Sequence, residues 1–94
     1  MVGGKLVVVC AFSKDKDYHA MLEVLRNADE VVATQYRGER SLKAHEVADV
    51  LSCISFEDSN KALDYARAVA GEMGVVLVLG SIYLVRDIFV SQGY

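Results

Sequence analysis

The sequence predicts an α/β fold, a Rossmann-like three-layer sandwich with a mostly parallel sheet of about four strands. Three observations point there. Two apolar runs rich in β-branched residues, K-L-V-V-V-C-A-F (5–12) and V-V-L-V-L (75–79), read as strands buried on both faces. Amphipathic helical stripes separate the strand-like segments, so strand and helix alternate along the chain. The 94 residues suffice for one small domain.

The elements follow in order. Lys5–Phe12 is the first strand, and S-K-D-K-D (13–17) is a polar loop. Tyr18, Met21, Leu22 and Leu25 fall at i, i+3, i+4 and i+7, one stripe of a helix that Asp17 is placed to cap. Glu30–Thr34 is a second strand, and Gln35–Ser41 a polar loop. Ala44, Val47, Ala48 and Leu51 repeat the stripe, with Ser41 as cap. Ser52–Phe56 is a short third strand. Asp58, Ser59 and Asn60 offer cap chemistry to a helix buried through Ala62, Ala66, Val69, Ala70 and Met73, with Gly74 near its stop. After the strand Val75–Leu79, Gly80-Ser81 turns the chain into a closing helix buried through Leu84, Val85, Ile88 and Phe89. The tail S-Q-G-Y frays.

Composition narrows the function. Lys and Arg total 10 against 13 Asp and Glu, a net charge of −3 without the basic excess of nucleic-acid proteins. A hydrophobic share of 53% is too high for a disordered chain. No apolar run reaches the ~18 residues of a membrane span, and no signal-peptide pattern opens the sequence. No nucleic-acid or membrane partner is therefore expected, and the expected location is cytoplasmic. Cys10 and Cys53 sit in apolar surroundings and read as reduced core thiols. A chain this short buries only about 60–65% of its unfolded surface. Its apolar richness suggests surface meant for another domain.

Right-handed crossovers favour the strand order 3-2-1-4. Ligands then bind at the carboxyl ends of the strands flanking the switch point, between strands 1 and 4. Ser13–Asp17 and Gly80–Tyr83 land there. A glycine followed by serine at a helix start can hold a carboxylate or phosphate on backbone N–H groups and the hydroxyl. Ser81 fits that role, with Tyr83 at the same mouth; equally, Ser81 can be an N-cap and Tyr83 a packing residue. Lys14, Asp15, Lys16 and Asp17 can meet an anion and an amine, or simply neutralise one another in water. Arg37 and Arg40 follow strand 2, and arginine suits bidentate carboxylate binding. His19 and His45 lack partners at metal-ligand spacing, so no metal site is expected. No P-loop, G-x-G-x-x-G or G-x-S-x-G is present.

Taken together, L-V-V-V-C-A-F-S-K-D-K-D-Y-H-A-M-L, A-D-E-V-V-A-T-Q, R-S-L-K-A-H-E-V-A, D-S-N-K-A-L-D-Y-A and V-V-L-V-L-G-S-I-Y-L-V occur in an order that resembles the C-terminal domain of folylpolyglutamate synthases and dihydrofolate synthases, a branch of the Mur ligase superfamily. The resemblance runs from about Lys5 to Ile88. The D-K-D loop and G-S-x-Y-L-V carry it together, and G-S-x-Y-L favours the folate branch over a cell-wall ligase. The family's P-loop domain, metal ligands and D-G-A-H-N-P strand have no counterpart here. Residues 1–94 are thus expected to form one partial domain of a larger ligase.

For the parent enzyme the resemblance implies ATP and Mg, L-glutamate, and a folate or dihydropteroate. ATP phosphorylates a carboxylate, leaving ADP, and the glutamate amine attacks the acyl phosphate to form the amide and release phosphate. This chain is expected to bind none of these cofactors strongly, to hold no catalytic residue and to be inactive alone. The resemblance implies glutamate contacts at Ser81 and Tyr83, then Lys14, Asp15, Lys16 and Asp17, then Arg40. An N-terminal ATPase domain is the expected partner, and an exposed sheet flank makes a dimer of the isolated chain a further expectation. The competing reading is a stand-alone small α/β module for an anionic metabolite or a protein partner.

Overall fold

The computed structural model describes residues 4–15 and 21–91. The element order is β1 (Leu6–Ala11), α1 (Leu22–Arg26), β2 (Glu30–Ala33), α2 (Ala44–Leu51), β3 (Ile54–Ser55), α3 (Ser59–Ala70), β4 (Val75–Gly80) and α4 (Ile82–Ser91). All strand pairs are parallel, and the order is β3-β2-β1-β4, as the sequence predicts.

β1 organises the core because its side chains are buried on both faces. Val7 and Val9 meet Val32 and the stripe Ala62, Ala66 and Ala70 of α3. Val8 and Cys10 point the other way, onto Leu25, Ala33 and Val47. This is the period-2 alternation of a strand. The alanine stripe lets α3 lie close against the branched valines. Each fully buried valine contributes about 1.5–3 kcal/mol of transfer free energy. A third cluster, Ala11, Tyr36, Leu63, Leu84 and Ile88, seats α4.

Several expectations need correction. β4 is not buried on both faces. It is an edge strand, with Val75 48% and Leu77 37% exposed. β3 shortens to Ile54–Ser55. α3 stops at Ala70, because Gly71 takes a φ of +68° that favours glycine. Met73 therefore lies outside the helix and is exposed, as is Phe89. Ser41 does not cap α2. The preceding residue is Lys43, without a side-chain cap bond, and Gln35 Oε1 accepts the Ala44 N–H at 2.9 Å. At α3, Asp58 accepts the Asn60 N–H at 2.8 Å as a true cap. The expected cap Asp17, the stripe residue Tyr18, His19 and the tail 92–94 lie outside the described residues. His45 is exposed.

Gly80 is fixed by both conformation and space. Its φ is +118°, and an added Cβ would stand 2.0 Å from the Ala11 carbonyl oxygen on the paired strand. Gly80→Ala is expected to cost about 1–3 kcal/mol, a fall of roughly 4–8 °C per kcal/mol in a domain of this size, checked by thermal denaturation. The cysteines give a second test. Burial, and then the neighbouring Cys53, push the Cys10 thiol up to about 12, while burial raises the half-buried Cys53. The folded state thus favours the neutral thiol. Its stabilising effect is complete below the ordinary value of 9.0 and is lost as pH rises toward about 12. In the folded chain at neutral pH, Cys53 is expected to alkylate before Cys10, as mass spectrometry of the modified peptides would read.

Candidate functional site

The carboxyl ends of β1, β2 and β4 share one rim of the sheet, and the segments leaving them are knitted together. The Lys14 N–H donates to the Arg40 carbonyl at 2.6 Å, and the Leu42 N–H to the Phe12 carbonyl at 2.8 Å. Ser13 and Ser41 form an antiparallel bridge between these bonds. The loop after β1 and the loop after β2 thus behave as one surface.

Tyr36 is the centre of that surface. It is 4% exposed, and its hydroxyl lies 2.5 Å from the Ser13 hydroxyl, itself buried. Its N–H donates to Ser41 Oγ at 3.2 Å, and the Ser41 hydroxyl donates to the Leu42 carbonyl at 2.9 Å. These bonds satisfy buried polar groups that would otherwise be costly. The Tyr36 ring packs against Tyr83 with centroids 5.5 Å apart and planes inclined by 32°. Arg86 covers the Tyr83 ring at 5.2 Å, a cation–π arrangement.

Asp87 ties α4 to the loop after β2. Its carboxylate is 8% exposed and accepts the Arg37 N–H at 2.7 Å. The Arg37 guanidinium stands 4.0 Å away and the Arg86 guanidinium 3.2 Å away. A carboxylate this buried requires such partners.

The residues predicted for the site divide accordingly. Ser81 caps α4: its Oγ accepts the Tyr83 N–H at 3.1 Å, and its carbonyl accepts from Leu84. That leaves the hydroxyl's own hydrogen available to a ligand. Tyr83 is 44% exposed and stacked. Lys14, Asp15 and Arg40 are exposed on the knitted loops, Lys14 and Arg40 joined through the backbone. Lys16 and Asp17 lie outside the described residues.

A polar cleft of about 470 Å³ opens beside this rim, lined by Gln35, Tyr36, Arg37, Lys43, Asn60 and Asp87 among others. Ser81, Tyr83, Lys14, Asp15 and Arg40 do not line it. Tyr36 joins the two regions, since it lines the cleft and touches Tyr83. Tyr36 and Asp87 escaped the sequence reading. The signals that point to them are an aromatic inside a polar loop and a carboxylate between the apolar Val85 and Ile88. Among the described residues, no three His, Cys, Asp or Glu side chains converge to hold a metal ion. No helix among them is long and apolar enough to cross a membrane.

Comparison with curated proteins finds no match. Solved structures do match. The bifunctional folylpolyglutamate synthase/dihydrofolate synthase of Yersinia pestis CO92 is 28% identical, with a TM-score of 0.85 over 97% of this chain and 23% of that one. A bifunctional folylpolyglutamate synthase/dihydrofolate synthase with Mn, AMPPNP and L-glutamate bound is 26% identical, with a TM-score of 0.82 over 97% and 23%. Escherichia coli FolC in complex with DHPP and ADP is 25% identical, with a TM-score of 0.82 over 100% and 24%. The chain thus spans under a quarter of the length of each of these proteins. The family model of the Mur ligase glutamate ligase domain matches residues 1–82, and the chain belongs to that family.

Proposed function

We propose that this chain is the amino-acid-binding, C-terminal domain of an ATP-dependent folylpolyglutamate synthase, an ADP-forming amide ligase that joins L-glutamate to a folate or dihydropteroate carboxylate. The observation that carries this reading is the likeness, over nearly the whole chain, to a synthase holding L-glutamate. The domain's own part is presentation. The Ser81 hydroxyl at the N-terminus of α4 suits a glutamate carboxylate, helped by the helix dipole. Lys14 and Arg40 offer further cationic contacts from the knitted loops, with Lys16 as a third. Asp15 and Asp17 suit the ammonium group. Tyr83, braced by Tyr36 and Arg86, provides a wall.

The remaining chemistry belongs to an ATPase domain as partner. The described residues hold no metal-binding cluster, and the sequence has no P-loop to take ATP and Mg. The acyl phosphate forms on that partner domain, and closure of the two domains brings the glutamate amine to it. Holding both reactants in line supplies much of the rate, and closure keeps water from the activated carboxylate. A cytoplasmic setting fits substrates of this kind.

Two outcomes test the reading. In a two-dimensional amide NMR titration, L-glutamate is expected to shift Ser81, Tyr83 and Lys14, whereas ADP shifts none of them. Shifts confined to Gln35, Arg37, Lys43 and Asn60 would place the ligand in the polar cleft and favour the stand-alone binding module. In a phosphate-release assay, the pure chain is expected to show no glutamate-dependent ATP hydrolysis. Turnover above the buffer rate would overturn the division of labour between the domains.

A further inference from the structure

Asp87 joins two regions through different oxygens. Its Oδ2 accepts the Arg37 N–H at 2.7 Å, and its Oδ1 accepts from Arg86 Nη2 at 3.2 Å. Arg86 stands over the Tyr83 ring at 5.2 Å, and that ring packs on Tyr36 at 5.5 Å. Tyr36 and Arg37 are neighbours in the chain. The contacts therefore close on themselves: Tyr36, Tyr83, Arg86, Asp87, Arg37, and back through one peptide bond. Tyr83, Arg86 and Asp87 stand at i, i+3 and i+4 on α4, a spacing that places them on one side of the helix.

Packing does not call for this circuit. Leu84 and Ile88, both buried, seat α4 against Ala11, Tyr36 and Leu63. A well-packed apolar side chain seats a helix as well as a buried ion pair does, because desolvation offsets much of the pair's attraction. What the Asp87 carboxylate adds is direction. It fixes the loop after β2 through a backbone bond, and it holds the flat Arg86 guanidinium against a ring that is 44% exposed. A ring at the surface has several rotamers open to it. Contacts from Tyr36 and Arg86 select among them.

The circuit extends to the hydroxyl of Ser81. Ser81 Oγ accepts the Tyr83 N–H at 3.1 Å, so the residue that carries the ring also orients the hydroxyl. Asp87 lines the polar cleft, whereas Ser81 and Tyr83 do not. It thus acts on them from outside their own surface.

We propose, resting on the reading of Ser81 and Tyr83 as glutamate contacts, that Asp87 is a positioning residue for the glutamate site. Acting through Arg86, it holds the Tyr83 ring, and with it the Ser81 hydroxyl, in the orientation that receives the amino acid. Such pre-organisation raises affinity without adding a contact to the ligand.

Aromatic and amide NMR of the full chain tests this first without glutamate. Asp87→Asn keeps an acceptor for the Arg37 N–H and removes the charge. It is expected to shift the Tyr83 ring signals and to weaken the nuclear Overhauser contacts between Tyr83 and Tyr36. Arg86→Gln is expected to do the same while leaving the thermal midpoint nearly unchanged, since that side chain is 53% exposed. In titrations with L-glutamate, each variant is expected to bind about fivefold more weakly. The double variant is no weaker than the single ones, because both act through one ring. If glutamate moves neither Ser81 nor Tyr83 in the unsubstituted chain, the site reading falls, and this inference with it. Undiminished glutamate binding in either variant overturns this inference alone. So do unmoved Tyr83 ring signals, or losses that add in the double variant. If Asp87→Asn does not fold, Arg86→Gln decides by the same ring signals and the same affinity.

Discussion

The rest of the structure depends on the complete burial of β1. Its valines and Cys10 are withdrawn from water on both faces, which requires helices on both sides and a strand on each edge. A parallel arrangement meets that requirement, because each crossover returns through a helix that covers a face. With β2 on one side of β1 and β4 on the other, the connections diverge at the carboxyl ends. The candidate site lies there because burial of one strand places the switch point there.

The rim is held by bonds between loops rather than by regular structure. The backbone bonds of Lys14 and Leu42, the hydroxyl pair of Ser13 and Tyr36, and the Asp87 contacts to Arg37 lock the loops after β1 and β2 to α4. Such pre-ordering lowers the entropic cost of holding any ligand at the rim. It also keeps exposed Lys14, Arg40 and Tyr83 on a common surface while their polar ends stay in water. The delivery role proposed for this domain calls for that combination of a fixed base and solvated contact groups.

Exposed apolar side chains occur on several elements, Val24 on α1, Val50 on α2 and Ile54 on β3, and Met73, Val75, Leu77 and Phe89 group around β4. The opposite edge, ended by β3, is short and flanked by acids. Among the described residues the sheet thus ends in a short, acid-flanked strand on one side and in a longer apolar strand on the other. This asymmetry follows from side-chain chemistry, since uncharged β-branched residues make good cross-strand partners while charges beside a short strand resist pairing.

Much of this was legible in the sequence. The β-branched runs around Val7–Val9 and Val75–Val78, the alanine stripe of α3 and the glycine before Ser81 sufficed for the strand order and the position of the switch point, because those features depend on local periodicity and on the handedness of crossovers. They also carried the likeness to the glutamate ligase domain. Only the tertiary structure decided which apolar strand became an edge. Val75–Leu79 and Leu6–Cys10 are alike as local sequence, and exposure depends on what lies beside a strand in space. Tertiary contacts likewise decided the roles of Tyr36 and Asp87, whose partners Ser13 and Arg37 are 23 and 50 residues away. Periodicity fixes what a residue faces within its own element, but a hydrogen bond across the fold exists only once the elements have packed.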